Sequence, residues 1–406
     1  MEPTSAEPPP DLGTLSVNAP PSPEQASVTA EPVVIPPHRS HDPRDNLKRS
    51  NPFQFGSRYL LEDDDVFEFN AWDHVETDAT YQEYAEVQYA KQREHPVAEF
   101  DKRRFNSDPA KWWDLFYRNN TTNFFKNRKW LQQEFPILTA VTQADSPPTT
   151  ILEVGAGAGN TAFPILAHNQ NPHLKVHAVD FSKKAVELIC ESEHYHPQYI
   201  QADVWDVADP SSLPPGITEG SVDIVLLIFI FSALSPDQWQ QAVRNIYRVL
   251  KPSGEVCLRD YGRGDLAQVR FKKGRWMEDN FYVRGDGTRV YFFEKDELAG
   301  IWRGSRLGTA AATQAVDEAG GAEREVSDKD GDVKRRERKD EGNEKEEVFE
   351  MVDLGVDRRL LVNRQRKLKM YRCWLQGRFR KRAPTCQPQP AMVEEPIPPA
   401  SGEIKP

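Results

Sequence analysis

The sequence predicts an α/β fold in which a mostly parallel sheet is closed by an antiparallel C-terminal hairpin. Between residues 146 and 303, short apolar strands alternate with amphipathic helices, the pattern of parallel strands joined by helical crossovers. A continuous apolar run at residues 222–231 is typical of a central strand buried on both faces. Three glycines at alternate positions follow the first of these strands and predict a sharp turn into a helix. We therefore expect a ligand site at the carboxyl edge of the sheet.

The elements of this central region follow one another closely. After the first strand and its glycine turn come a strand that ends near Asp180 and a helix from Ser182. Further along the chain, a helix from Ser235 stops at a Lys-Pro-Ser-Gly turn. Strands are expected at residues 151–154, 176–179, 199–202, 222–231 and 255–259. Residues 146–303 are thus expected to form one α/β domain that holds the ligand site.

Composition divides the rest of the 406-residue chain. Residues 1–50 are rich in proline and poor in aromatics, so we expect a disordered tail. Apolar and aromatic residues then recur at helical spacing, which predicts a helical module at 51–145, and its basic residues indicate nucleic-acid binding. Low-complexity composition predicts a disordered charged insertion at 304–347 and a disordered tail at 383–406. Between these two, residues 348–382 are expected to form the closing strands, at 349–354, 360–362 and 370–379.

Composition also excludes several classes of protein. No apolar run reaches the roughly 18 residues that a membrane-spanning helix needs. The four cysteines are scattered, which predicts a reduced, cytoplasmic protein rather than a disulfide framework. His194 and His196 have no neighbouring Cys or acid at ligand spacing, so we expect surface histidines and no catalytic metal.

The glycine turn is the strongest motif. Gly155, Gly157 and Gly159 follow Glu153, and the third glycine of a dinucleotide fingerprint would fall on Asn160, which favours a ligand without a pyrophosphate. Asp180 ends the second strand, where an acid can accept hydrogen bonds from a ribose diol. Asp203 follows the third strand, where we expect an adenine edge, and a ring face could pack on Ile228. The alternatives are a structural turn and surface acids that cap helices.

With the turn Lys251-Pro252-Ser253-Gly254, this arrangement resembles the Rossmann-like class I S-adenosylmethionine-dependent methyltransferases over about residues 150–300. Longer motifs are similar to the eukaryotic tRNA 3-methylcytidine methyltransferases, with Asn127 where many relatives carry Asp. These motifs occupy residues 112–117, 123–131, 134–136, 259–262 and 280–293, and the resemblance covers about 65–303 and 349–382.

The resemblance implies that S-adenosyl-L-methionine is the cofactor and that N3 of cytidine 32 is methylated in the anticodon loop of threonine and/or serine tRNAs. It leaves open an aminoacyl-tRNA synthetase as a protein partner, and implies no membrane. The cofactor-binding residues that it implies are Trp113, Tyr117, Glu153, Gly155, Gly157, Gly159, Asp180, Asp203, Val204 and Ile228.

Cytosine N3 carries an in-plane lone pair, so its methylation needs no general base but does need an unpaired base. Methylation leaves positive charge on the ring, which a carboxylate at N4 would stabilise. Asp260 is our candidate for that catalytic role, with Arg259 at cytosine O2 or at a phosphate. The alternative is a structural ion pair at the end of a strand. Tyr261 and Phe292 could stack on the base or pack in the core.

Two basic regions, 118–129 and 358–382, are predicted to bind RNA although the net charge is −11, because residues 358–382 hold eleven Lys/Arg and no acid. The expected RNA-binding residues are Arg118, Lys126, Arg128, Lys129, Arg284, Arg289, Arg364, Arg366, Lys367 and Lys369. Two other functions stay open: a class I methyltransferase of a protein or small molecule, and a non-catalytic RNA-binding adaptor.

Overall fold

The structure is a computed structural model that describes residues 58–304 and 349–383. Apart from Gly304 and Ala383, the three segments expected to be disordered (1–50, 304–347 and 383–406) lie outside the described residues. Every helix within the described ranges is too short or too polar to cross a membrane.

An eight-stranded sheet forms the centre of the fold, in the order β1-β10-β11-β6-β5-β2-β3-β4. Neighbouring strands from β6 to β4 are parallel, whereas β11, β10 and β1 pair antiparallel. The expected mostly parallel sheet with a closing hairpin is therefore confirmed. Its strands are β1 (Ala71–Asp73), β2 (Thr149–Val154), β3 (Leu174–Asp180), β4 (Ile200–Val204), β5 (Val222–Ile228), β6 (Leu250–Tyr261), β10 (Phe349–Asn363) and β11 (Leu368–Lys381).

A second, antiparallel sheet consists of β7 (Trp276–Glu278), β8 (Phe281–Val283) and β9 (Arg289–Tyr291). The helices in the described part of the chain are α1 (Ala79–Arg93), α2 (Glu99–Ser107), α3 (Pro109–Asn120), α4 (Leu131–Glu134), α5 (Pro136–Val141), α6 (Ala162–Ala167), α7 (Lys183–Cys190), α8 (Trp239–Val249), α9 (Leu266–Val269) and α10 (Lys295–Trp302).

Capping explains where two of these helices begin. Ser182 accepts a hydrogen bond from the Ala185 amide and so starts α7, as expected. The helix expected from Ser235 begins instead with one 3-10 turn, Pro236–Gln238, because Ser235 and Gln238 form a capping box. Regular α-helix then follows in α8.

The closing hairpin is longer than the apolar pattern predicts. Residues 349–354 and 360–362 belong to one 15-residue strand, β10. The polar residues between them do not interrupt the strand, because Asp357 forms an ion pair with Arg259 on β6. Local apolar periodicity cannot reveal a partner almost a hundred positions away.

The lead segment contributes a strand to the main sheet. Trp72 on β1 pairs with Leu360 on β10, and its indole is only 2% exposed. Its ring packs in a cluster with Leu360, Val362 and Tyr371. The expected helical module therefore also supplies the edge strand next to the hairpin, and the sequence pattern missed this three-residue strand.

Candidate functional site

A cavity of about 390 Å³ opens at the carboxyl ends of β2, β3 and β5, and we call it the glycine-turn cavity. Gly155, Asp180 and Ile228 line it from the sheet, and Trp113 and Tyr117 line it from α3. Five predicted cofactor residues are thus brought to one space. The other lining residues are Phe116, Phe124, Phe125, Arg128, Phe181, Phe229, Ile230, Ser232, Ala233, Tyr261, Leu266, Ala267, Arg270, Arg284, Asp286, Thr288 and Arg372.

The glycine turn requires its glycines. Gly155, Gly157 and Gly159 have φ angles of +66°, +58° and +82°, a region that other residues adopt only at a cost. A Cβ atom would overlap with Ile230 at Gly155 and with the Tyr117 hydroxyl at Gly157. The turn therefore packs closely against these side chains and has no room for a Cβ at either position.

Asp180 joins the turn to the start of α7. Its carboxylate accepts hydrogen bonds from the amides of Gly157 and Ser182, both at 2.9 Å. Burial raises the pKa of Asp180 to about 6, although these backbone hydrogen bonds lower it. Ser182 itself caps the helix, and Asp180 is buried. Asp180 is therefore not a surface acid that caps this helix, which was the alternative to a ligand contact.

Glu153 lies within β2 and does not line the cavity. Burial raises its pKa to about 7, and the guanidinium of Arg128, 3.9 Å away, partly opposes that rise. Arg128 also donates to the Thr161 hydroxyl at 2.7 Å. It lines the cavity from the loop before α4, so this residue, predicted to bind RNA, lies instead beside the glycine turn.

Two aromatic side chains of α3 close one side of the cavity. Trp113 and Tyr117 stack with ring centroids 6.1 Å apart, one helical turn from each other. Burial raises the pKa of the Tyr117 phenol well above its ordinary value, so the hydroxyl stays neutral. Asp114, between them, accepts from the Ser182 hydroxyl at 2.7 Å and fixes α3 against α7.

Asp203 and Val204 do not line the cavity. They end β4, where Val204 pairs with Asp180, but Asp203 accepts a hydrogen bond from Gln201 at 2.8 Å and Val204 is 43% exposed. They lie outside the lining of the cavity, and their contact with a cofactor stays a prediction.

A second cavity of about 310 Å³ adjoins the first, and we call it the tryptophan cavity. Residues that line both cavities form their junction: Phe125, Arg128, Phe229, Tyr261 and Arg372. The tryptophan cavity also has walls from β1, β6, β10 and β11, formed by Asp73, His74, Lys126, Trp130, Glu134, Arg259, Asp357, Arg359 and Trp374. Aromatic and cationic side chains thus dominate its lining.

Arg259 is held rigidly in the tryptophan cavity. Its guanidinium donates to Asp357 at 2.6 Å and to the Gln376 side chain, and lies over the rings of Trp130 and Trp374. Burial alone would raise the pKa of Asp357, but Arg259 and His74 hold it well below its usual range. The structural ion pair considered for Arg259 therefore exists, with Asp357 as the partner instead of Asp260.

The position of Asp260 corrects our expectation for it. Its side chain is 0% exposed and lines neither cavity. Its carboxylate accepts from the amides of Ser232 at 2.9 Å and Tyr261 at 2.8 Å, and burial raises its pKa to about 6. Ser232 and Tyr261 do line the cavity. Asp260 thus fixes two wall residues through their backbone amides, and its side chain is exposed to neither cavity.

Arg289 is also corrected, because it is buried and cannot meet RNA. Its guanidinium donates to Asn106, Gln238 and the Ala233 carbonyl, and burial lowers its pKa to about 10. Arg284 lines the glycine-turn cavity. The other predicted RNA-binding residues are exposed: Arg118, Lys126, Lys129, Arg364, Arg366, Lys367 and Lys369.

Tertiary ion pairs neutralise much of the basic run 358–382. Arg378 and Arg380 both bind Glu255, Arg372 binds Asp265 and Arg359 binds Asp73. The exposed cations are concentrated at the β10–β11 turn. Although the run itself contains no acid, four of its arginines have acidic partners, and all three of these acids come from other elements.

Sequence reasoning missed Phe229, which lies at the junction of the cavities. Its φ is +60°, a strained conformation for an aromatic residue that occurs mainly where the surroundings enforce it. Its ring centroid lies 5.0 Å from that of Tyr261. Tyr261 itself lines both cavities, whereas Phe292 is 0% exposed and packs in the core. No sequence signal marks a positive φ at a phenylalanine.

No group of three or more His, Cys, Asp or Glu residues within 58–304 and 349–383 is arranged to hold a metal ion. His194 is exposed and lies 3.7 Å from Glu193.

Comparisons with known proteins agree with this geometry. A family model described as a methyltransferase domain matches residues 152–256. The tRNA(Thr) (cytosine(32)-N(3))-methyltransferase of Saccharomyces cerevisiae is 48% identical over 334 residues, which are 82% of this chain and 46% of that protein. The chain therefore spans about half of that relative. The methyltransferase domain and the topology together confirm the expected class I methyltransferase fold.

Two further relatives are covered almost completely. A tRNA N(3)-methylcytidine methyltransferase of Schizosaccharomyces pombe is 43% identical, over 80% of this chain and 92% of that protein. A tRNA N(3)-cytidine methyltransferase of Homo sapiens is 34% identical, over 81% of this chain and 93% of that protein. Identity at this level over nearly the whole of both relatives shows that the chain belongs to the tRNA N3-methylcytidine methyltransferase family.

Proposed function

We propose that the protein methylates N3 of cytidine 32 in threonine and/or serine tRNAs, with S-adenosyl-L-methionine as the methyl donor. The observation that carries the proposal is the pair of joined cavities. One has a glycine turn and a buried acid at the carboxyl edge of a parallel sheet, and the other is walled by aromatic and cationic side chains. The names of the relatives supply the nucleotide and its position.

The donor belongs in the glycine-turn cavity. Gly155 presents only backbone to the cavity, which suits a ligand that runs against backbone. Asp180 can accept the ribose hydroxyls, because each carboxylate oxygen now takes a single backbone hydrogen bond and has a further lone pair. Trp113, Tyr117 and Ile228 supply apolar surface for the rest of the ligand. The roles of Asp203 and Val204 stay predictions.

S-adenosyl-L-methionine supplies an electrophilic methyl group on a positively charged sulfur. With the donor bound, the lone pair of cytosine N3 would form the new N–C bond as the S–C bond broke, and the positive charge would move to the ring. No proton has to leave N3, so no side chain need act as a general base. The residues of the junction instead exclude water and place the base, which must be out of any Watson–Crick pair.

Arg259 is suited to the cytosine O2 carbonyl. Three of its five N–H groups have no hydrogen-bond partner among the described residues, so it can still donate. Its charge is already compensated by Asp357, which favours a neutral carbonyl over a phosphate. Asp260 acts as a positioning residue for Ser232 and Tyr261.

The test combines cells and purified protein. Nucleosides of tRNA from cells without the protein should lack 3-methylcytidine at position 32, and purified protein should restore it to threonine or serine tRNA. Asp180→Asn should lose donor binding, measured with S-adenosylhomocysteine. An unchanged nucleoside profile, with methylation of a protein or small molecule by the purified protein, would refute the proposal. A synthetase partner and a cytoplasmic location, the latter resting on the scattered cysteines, stay predictions.

A further inference from the structure

Three arginines besides Arg128 face the glycine-turn cavity. Arg270 follows α9, Arg284 follows β8, and Arg372 lies in β11. Because all three line one space of about 390 Å³, their guanidinium groups can meet a common ligand. We call these residues the arginine cluster.

Each guanidinium of the cluster retains N–H groups without a partner in residues 58–304 and 349–383. The exposed side chain of Arg270 has neither a hydrogen bond nor an ion pair there. Arg284 uses one terminal nitrogen, which donates to the Arg289 carbonyl at 3.0 Å and to the Thr288 hydroxyl at 3.4 Å. Arg372 uses only Nε, which leaves its two terminal nitrogens available.

Asp265 holds two parts of the cluster together. It is 0% exposed and caps α9 by accepting from the Ala267 amide at 2.8 Å. Its other oxygen accepts from Arg372 Nε and from the Cys373 amide, both at 2.8 Å. A buried carboxylate is costly without such partners, so the helix that carries Arg270 is fixed to the strand that carries Arg372.

The charges of the cavity favour an anionic ligand. Four arginines line it, Arg128 and the cluster, against two acids, Asp180 and Asp286. Arg128 and Arg372 also pair with Glu153 and Asp265, whereas Arg270 and Arg284 form no ion pair with an acid among the described residues. Asp286 accepts from the amide and hydroxyl of Thr288 at 2.9 and 2.7 Å, and Asp180 accepts from two backbone amides. The methyl donor has a net positive charge, so it does not explain the surplus of cations.

We infer that Arg270, Arg284 and Arg372 bind a backbone phosphodiester of the RNA next to the nucleotide that is methylated. This inference rests on the proposed function. A base extruded into the junction leaves its phosphates at the mouth of the cavity, where exposed Arg270 lies. Guanidinium groups match phosphate oxygens through paired N–H donors. Because such a contact is made to the RNA backbone and not to a base, it does not depend on the RNA sequence.

The first experiment measures the affinity of the anticodon stem-loop of threonine tRNA as a function of salt. Arg270→Gln should weaken binding severalfold and reduce the salt slope by about one, as expected for the loss of one phosphate contact. The matched control is Lys272→Gln, an exposed cation two positions away that does not line the cavity. An unchanged slope in Arg270→Gln would overturn the inference. So would an equal loss of S-adenosylhomocysteine affinity, since the cluster would then bind the donor's carboxylate.

The second experiment replaces single phosphates of the stem-loop by neutral methylphosphonates, one position at a time. The wild-type protein should lose affinity severalfold at a linkage flanking cytidine 32, and Arg270→Gln should show no further loss at that linkage. An equal loss for both proteins at every linkage would contradict the inference. Because both experiments measure binding, they report on the cluster even if the wild-type protein fails to methylate cytidine 32, which is the outcome that would refute the proposed function.

Discussion

At the scale of single residues, Gly155 gives the sharpest test of the glycine turn. In Gly155→Ala, the Cβ would overlap with Ile230 and the backbone would keep a φ of +66°, which costs about 1–2 kcal/mol. We expect the thermal shift with S-adenosylhomocysteine to disappear. Gly274→Ala is the control, because Gly274 has a φ of +72° with nothing within 4 Å, so this variant should lose stability but keep the shift. Retention of ligand binding by Gly155→Ala would remove the turn from the site.

Glu153 predicts how stability depends on pH. Burial raises its pKa from 4.5 to about 7, so the folded protein holds a proton that the unfolded chain has already lost. The contribution of protonated Glu153 to the free energy of unfolding is complete below about pH 4.5. It is lost as the pH rises through 7, which lowers that free energy by up to about 3 kcal/mol. In Glu153→Gln, the melting temperature relative to wild type should therefore rise between pH 5 and pH 8. The exposed Glu83→Gln should show no such trend, and a flat difference for Glu153→Gln would contradict this reading.

The position of a residue can be predicted from sequence where it depends on the residue's own backbone. The glycines and Asp180 lie at the ends of strands that apolar runs define, so local sequence places them. Asp260 and Arg289 were misassigned because their orientation depends on Ser232, Asn106 and Gln238, which belong to other elements. The charge of a residue is visible in a sequence, whereas its burial is not.

At the scale of elements, the β10–β11 turn is the exposed part of the basic run. Replacement of Arg364, Arg366 and Lys367 by Gln should weaken tRNA binding and lower the salt slope by up to about three. Arg378→Gln is the control from the same run, because its guanidinium binds Glu255 at 2.8 Å. This control should lower the melting temperature and leave the slope unchanged. If the triple variant kept the wild-type slope, the turn would not be part of the RNA interface.

Elements themselves were predictable to different extents. Strands β2, β3 and β5 are apolar and buried, so the sequence places them to within a few residues. Strand β1 has only three residues, and the apolar pattern of β10 is interrupted by polar residues whose partners lie in β6 and β11. Short edge strands and strands with buried ion pairs depend on tertiary contacts, which a local pattern does not contain.

At the scale of the whole molecule, one sheet contributes walls to both cavities. Strands β5, β2, β3 and β4 form the half with the glycine turn, and β6, β11, β10 and β1 form the half with the tryptophan cavity. The junction residues Phe229 and Tyr261 follow β5 and end β6, which are neighbours at the centre. A substitution that destabilises the β1 edge should therefore lower activity toward tRNA more than it lowers affinity for the methyl donor.

Trp72 tests this division, since it anchors β1 through Leu360 and through an indole hydrogen bond to the Val66 carbonyl at 2.8 Å. Trp72→Ala removes a fully buried ring and should cost about 3–5 kcal/mol. Because Asp73 and His74 line the tryptophan cavity, kcat/KM for tRNA should fall at least tenfold. At a temperature where the variant is still folded, its affinity for S-adenosylhomocysteine should stay within twofold of wild type. Trp72→Phe, which keeps an aromatic ring and loses the hydrogen bond, should recover most of the activity. An equal loss of both functions in Trp72→Ala would mean that the two halves of the sheet are not separable.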